Sequence, residues 1–263
     1  MDTAEIRRAV LQTIASIAPE TDLQQIRPEQ PLRRQVDLDS MDWLNVLAGV
    51  QERLSVAVPD SDIGHLATLD SIVAYLASRP AHSAAPPAAT DTAGQPRSAE
   101  HVVNGAAVTV RPIRPDDLQR EADFVRHLSK EARYQRFLVT VGELPEAKLH
   151  YFTEVDQVRH VALAATVPRD GRPAIVGVAR YIVGPATDSC EFAIAVDDAW
   201  QGSGLAGILM HALIGVARSR GLAAMEGTVL ATNTRMLRFT RQLGFRQQRD
   251  PGDRETVRVV RAL

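Results

Sequence analysis

Two places in this sequence set reactive residue types at spacings that chemistry could use. In the first, Glu191-Phe192-Ala193-Ile194-Ala195-Val196 reads as a strand and Asp197 to Trp200 as a turn. Gln201-Gly202-Ser203-Gly204-Leu205-Ala206 follows as a small-residue bend that opens a helix, with Leu205, Leu209, Ala212 and Val216 on one face. Consecutive backbone N–H groups at such a helix start make a cradle for an anion, and glycine lets the chain approach a phosphate closely. The same run also reads as a plain connecting loop. In the second place, Asp37-Leu38-Asp39-Ser40-Met41-Asp42 stands just ahead of a helical pattern. Ser40 is a good N-cap, and its acidic neighbours complement the positive helix end.

Gly202, Gly204 and Gly207 also spell the GxGxxG of dinucleotide sites, with Glu226 beyond them. In that class the glycines follow the strand almost at once, and the acidic residue ends the next strand. Here five residues separate Val196 from Gly202, Glu226 precedes the apolar run Thr228 to Leu230, and only 57 residues follow Ala206. The dinucleotide reading is therefore set aside. Metal chemistry has no support either. The seven histidines show no metal-ligand spacing, and Cys190 is the single cysteine, which excludes an intramolecular disulfide or a multi-cysteine cluster and fits a reducing compartment.

These residues need elements to hold them. A chain of 263 residues with 45% apolar and 24% charged composition suits two globular domains of roughly 150 residues or fewer each. With no apolar run near the roughly 18 residues of a span and no leader-like N-terminus, a soluble, cytoplasmic protein with no membrane partner is expected. Charge is uneven. The first 78 residues hold twelve of the 32 acidic and six of the 30 basic residues, a net of −6 against +4 for the rest. Such a head repels nucleic acid and suits basic protein surfaces.

Within the head, Ile6, Val10, Ile14 and Ile17, then Trp43, Leu47, Val50 and Leu54, then Leu69, Ile72, Val73 and Leu76 recur at helical spacing. A three-helix bundle over 1–78 follows, with a short fourth helix near Asp62 to Leu66. A Pro- and Ala-rich stretch over 79–104 lacks apolar periodicity and reads as a tether, with a random-coil reach of roughly 25 to 30 Å. Beyond it, over 105–263, short apolar runs alternate with helical stretches. They are Val108–Val110, His160–Val167, Ile175–Val183, Cys190–Val196, Thr228–Leu230 and Thr256–Val260, a mixed α/β class.

The head resembles an acyl carrier protein: the Asp-Ser-Met at 39–41, Val58-Pro59-Asp60 after the second helix, and Thr68-Leu69 opening the last one. That resemblance implies a covalent 4'-phosphopantetheine on Ser40, attached by a phosphopantetheinyl transferase. It also implies an acidic face of Asp39, Asp42 and Glu52 on which acyl-loading enzymes dock. A serine at a helix start suits this, since an incoming phosphate meets backbone N–H donors.

The body resembles the GCN5-related N-acetyltransferases. Gln201-Gly202-Ser203-Gly204-Leu205-Ala206 fits their Gln/Arg-x-x-Gly-x-Gly/Ala signature, and Asn233 with Leu243-Gly244-Phe245 fits their next motif. Arg133-Tyr134-Gln135-Arg136-Phe137 and Cys190-Glu191-Phe192-Ala193 look like the catalytic domain of bacterial protein lysine acetyltransferases. The resemblance implies direct attack of an amine on an acetyl-CoA or other acyl-CoA thioester. The diphosphate would lie on the amides of Gln201 to Ala206, the pantetheine on the backbone of Ile194, Ala195 and Val196, and Asn233 beside that arm. An amine with a pKa of about 10.4 needs a base at neutral pH, and Glu191 is the candidate, with Ala193 and Ala195 leaving room on its face. Where many relatives place a Tyr as general acid, this chain has Thr240. Cys190 points the other way, into the core. The resemblance leaves three uses of the fusion open: transfer from acyl-CoA to a primary amine or protein lysine, a biosynthetic unit whose acyl group or amine rides on Ser40, and a catalytically silent acyl-CoA sensor.

Overall fold

The computed structural model describes residues 2–18, 21–32, 35, 36, 38, 40–54, 56, 58, 66–78, 96–137, 143–184, 187–249 and 253–263, with backbone only at 40, 41, 44, 45, 48 and 52. The chain divides into two compact units.

The N-terminal unit is built on helices α1 (Thr3–Ile17), α2 (Ser40–Leu54) and α3 (Leu69–Ala77). Asp2 caps α1 by accepting from the Ala4 amide, and Thr68 and Ser71 form a reciprocal capping box at α3. The apolar residues expected to face inward do so, Trp43 among them. Gly49 lets α1 approach α2, for a β-carbon there would lie 2.7 Å from Thr13 Cγ2. The short helix expected near Asp62 to Leu66 falls almost wholly outside the described residues, as do Asp37 and Asp39.

The C-terminal unit runs β1 (Ala99–Val103), β2 (Ala106–Pro112), α4 (Leu118–His127), α5 (Lys130–Phe137), α6 (Glu146–Thr153), β3 (His160–Arg169), β4 (Arg172–Val183), β5 (Ser189–Val196), α7 (Leu205–Ser219), β6 (Ala224–Leu230), α8 (Thr234–Gln242), β7 (Arg246–Gln248) and β8 (Thr256–Ala262). The strands form one sheet in the order β1-β2-β3-β4-β5-β6-β8-β7. Its described pairings are antiparallel except β5 with β6, which are parallel and joined across α7. Strands β3 and β4 are near-continuous apolar runs because both faces are covered. Leu205, Leu209 and Leu213 of α7 pack on one face, and Phe124, Val125, Phe137 and Phe152 of α4 to α6 on the other.

One boundary moves. Ala99–Val103, assigned by composition to the tether, pairs with β2 in a hairpin whose turn is Asn104 (φ 50°) and Gly105 (φ 80°). The apolar run Thr228–Leu230 also begins earlier, at Ala224, so Glu226 lies inside β6. Among the described residues no helix is long and apolar enough to cross a membrane, and no group of three or more His, Cys, Asp or Glu could hold a metal ion.

Candidate active site

The parallel pairing of β5 with β6 is short: Ser189 with Ala224, Cys190 with Met225, Glu191 with Glu226. Both strands continue past that point, β5 to Val196 along β4 and β6 to Leu230 along β8. They have therefore parted, and a gap opens directly after Glu191. The Asp197 amide donates to Val176 O at 2.9 Å on the β4 side. Antiparallel alternation then turns the N–H and C=O groups of Val196, Ile194 and Phe192 the other way, towards the gap. On the same parity, Asp188 O accepts from the Ala223 amide at 2.7 Å, where β5 and β6 still lie together. The backbone of Ala195 faces β4, so of the three residues expected to pair with a ligand, Ile194 and Val196 present backbone groups to the gap.

At the closed end of the gap stands Glu191. It is 8% exposed, and Thr228 Oγ1 donates to its Oε1 at 3.4 Å. A glutamate facing bulk solvent at a strand end is thus not what the fold contains. Glu191, Ala193 and Ala195 share the face covered by α4 to α6, opposite Ile182, Arg180 and Val178 of β4. Cys190 and Phe192 point into the other core, against α7. Burial, reinforced by the Glu226 charge, pushes the Cys190 thiol up to about 12, which keeps it neutral.

The bend after β5 turns on two glycines. Gly202 and Gly204 adopt φ of 78° and 92°, left-handed backbone that glycine takes without strain. Ser203 Oγ donates to Trp200 O at 2.6 Å and accepts from the Leu205 amide at 3.3 Å. The amides of Gln201 and Ser203 donate to Asp198 O and Trp200 O, each at 3.3 Å. Three of the six amides proposed for a diphosphate, those of Gln201, Ser203 and Leu205, are thus engaged within the turn. The first turn of α7 supplies N–H groups that lack intrahelical acceptors. Asp198 anchors the bend by accepting from the Ser129 amide at 2.9 Å and from Gln201 Nε2 at 3.0 Å.

Asn233 caps α8, its Oδ1 accepting from the Met236 amide at 3.0 Å. Thr240 is fully buried and its hydroxyl donates to Leu237 O at 3.1 Å within the helix, so it offers no proton to a leaving group. Arg235, which the sequence reading did not single out, donates to Gln201 Oε1, and its Nη2 lies 3.7 Å from where a β-carbon on Gly202 would be. Its signal was only its place two residues after Asn233.

On the same face of the sheet as Glu191 lies a buried charged cluster. Arg180 Nη2 donates to Glu121 Oε1 at 2.9 Å and Nη1 to Phe152 O at 3.2 Å, and the guanidinium sits 4.3 Å from the Phe152 ring centre. Burial pushes the Glu121 carboxyl above its ordinary range, against the pull of Arg180 and Arg136. Burial, with those same two guanidiniums, holds His160 well below its ordinary value. It is neutral, and lies on β3, two strands away from Glu191. Arg136 stacks on Phe137. Ser40 is the first residue of α2, and the side chains of Ser40 and Glu52 lie outside the described residues.

Comparison with known proteins agrees with this layout. The description "Acetyltransferase (GNAT) family" matches residues 123–245, and "Phosphopantetheine attachment site" matches residues 8–76. An acetyltransferase of Pseudomonas aeruginosa is 37% identical over 158 residues, which is 60% of this chain and 85% of that one. An acyl carrier protein of Helicobacter hepaticus is 28% identical over 76 residues, 29% of this chain and 95% of the relative. Among solved structures, the GNAT domain of S. lividans PAT is 34% identical with a TM-score of 0.58, covering 63% of this chain and 97% of that domain. The chain belongs to the acetyltransferase (GNAT) family and carries a phosphopantetheine-attachment domain ahead of its catalytic one.

Proposed function

We propose that this acetyltransferase moves an acetyl or other short acyl group from acyl-CoA to a primary amine, a protein lysine being the acceptor favoured. The observation that carries this reading is the parting of β5 and β6 immediately after a buried glutamate, with the glycine bend at the far end of β5. Those two features lie at opposite ends of the exposed backbone of Ile194 and Val196, a layout that suits a thioester at one end and a diphosphate at the other. Arg235 and the first-turn amides of α7 supply positive charge at the diphosphate end. Asn233, which caps α8, is assigned to the pantetheine arm on the resemblance to the family's motif. The lysine acceptor rests on the resemblance of the catalytic part to bacterial protein lysine acetyltransferases.

In this scheme Glu191 takes a proton from the acceptor ammonium, directly or through one water. The freed nitrogen lone pair attacks the thioester carbonyl, and the C–S bond breaks. In the same scheme the backbone N–H of Ile194 steadies the developing oxyanion. The leaving thiolate needs no acid, since a thiol pKa of about 8.5 makes it a good leaving group, and it takes up the proton the attacking nitrogen sheds.

For the head, the structure offers one test of fit. Ser40 opens a 15-residue helix, where a phosphodiester meets first-turn N–H groups. When attached, 4'-phosphopantetheine supplies a thiol that can hold an acyl group as a thioester. A phosphopantetheinyl transferase and an amine acceptor are then the required partners.

Glu191→Gln tests the base. Acetyl transfer to a lysine peptide should fall by about a hundredfold or more at neutral pH, and the deficit should narrow at high pH as the free amine becomes abundant. Equal rates for variant and parent across the pH range would remove Glu191 from this role.

A further inference from the structure

The gap between β5 and β6 has an end, and one ring closes it. Phe192 is the first residue of β5 beyond the paired segment, and Gly227 is the first of β6. A β-carbon added to Gly227 would lie 2.7 Å from Phe192 Cε1, 3.0 Å from Cζ and 3.1 Å from Cδ1. Carbon atoms pack at about 3.5 to 4.0 Å, so the ring occupies the space that a side chain at 227 would claim. It therefore reaches from its own strand across to the bare backbone of the next one. On its other side it meets the Phe245 ring, centre to centre 5.1 Å, and both rings are buried.

Three boundaries then meet at the apex. Along the strands, pairing resumes at Glu191 and Glu226. On the α4 to α6 face stands Glu191, where the amine has to enter. On the α7 face the way is blocked by Phe192, held by Gly227 and Phe245. We propose that Phe192 sets the length of the acyl group this enzyme accepts, closing the apex to chains longer than a few carbons. The inference rests on the reading of the gap as the acyl-CoA cleft, and it adds a residue whose job is specificity rather than chemistry.

The test is the chain-length profile of the full protein with acetyl-, butyryl- and hexanoyl-CoA and a fixed lysine peptide. In Phe192→Ala the ratio of kcat/KM for hexanoyl-CoA to that for acetyl-CoA should rise about tenfold or more, since each methylene given room recovers a substantial share of its transfer free energy. Phe192→Leu should shift the same ratio less, and it carries the measurement if the alanine variant does not fold. A folded variant with the parental profile overturns the proposal while leaving the acetyl transfer itself in place. Were the parent to transfer no acyl group at all, the functional reading would fail. Direct calorimetric binding of acetyl- and hexanoyl-CoA to parent and variant would then decide the role of Phe192: a variant that gains hexanoyl-CoA affinity relative to acetyl-CoA supports it, and an unchanged preference overturns it.

Discussion

Glu191 and Cys190 are neighbours in the chain and opposites in chemistry, because strand alternation sends them to different faces. Glu191 lies at the gap, whereas Cys190 is 1% exposed in the core against α7. It is the thiolate that attacks an alkylating reagent, and burial has pushed the Cys190 thiol up to about 12. Iodoacetamide at pH 8 should therefore leave the native chain unlabelled and add a single adduct to the unfolded chain, read by intact mass. Labelling of the folded protein would mean that β5 opens far more readily than its packing implies. That the two residues face apart was legible from the sequence. The company of Glu191 was not, because Thr228 comes from a strand 37 positions further on and nothing local couples the two. Arg235 escaped notice for the same reason: its partner Gln201 is brought to it only by the crossover through α7.

Elements with a strong apolar period were easy to read, and those without one were not. β7 is Arg246-Gln247-Gln248, wholly exposed and apolar nowhere, and is a strand only because β8 offers it an edge. β1 was hidden by the composition of the tether before it, although Asn104-Gly105 is a strong hairpin signal once weighed. The start of α4 shows what holds such an element. Asp117 receives two bonds from Arg111, at 2.6 and 2.7 Å, one from Arg120 at 2.8 Å and one from the Arg114 amide at 3.0 Å. Burial works to raise its carboxyl, but the Arg111 bonds and charge outweigh it and hold Asp117 below its ordinary range. A depressed carboxyl stabilises the fold above its unfolded-state value of 3.8. That contribution is lost as pH falls through the lower folded value. Asp117→Ala should cost about 3 kcal/mol, since it strands buried guanidinium charge. Melting temperatures from pH 7 to pH 3 should show the variant losing less than the parent over the acid limb. A variant as stable as the parent at pH 7 would show the cluster to be incidental.

At the scale of the whole chain, the fusion joins two units that both deal in pantetheine, and the donor to the cleft is either free acyl-CoA or the carrier arm. The unlike charges of the two parts, −6 over the first 78 residues and +4 over the rest, permit an encounter but do not dictate one. On the function proposed here, the glycine bend argues for free acyl-CoA as the donor. In that proposal Arg235 and the first-turn amides of α7 receive a diphosphate, whereas an arm on Ser40 carries a single phosphodiester. Binding energy spent at that remote end is lost to a donor that lacks it. Ser40→Ala in the full protein should therefore leave kcat/KM for acetyl-CoA within about twofold of the parent, a change too small to count as lost transition-state binding. The same substitution should abolish the gain of one phosphopantetheine mass that a phosphopantetheinyl transferase confers on the parent. If transfer from acetyl-CoA instead collapses in Ser40→Ala, the acyl group must pass through the carrier arm, and the cleft described here receives it from the head rather than from solution.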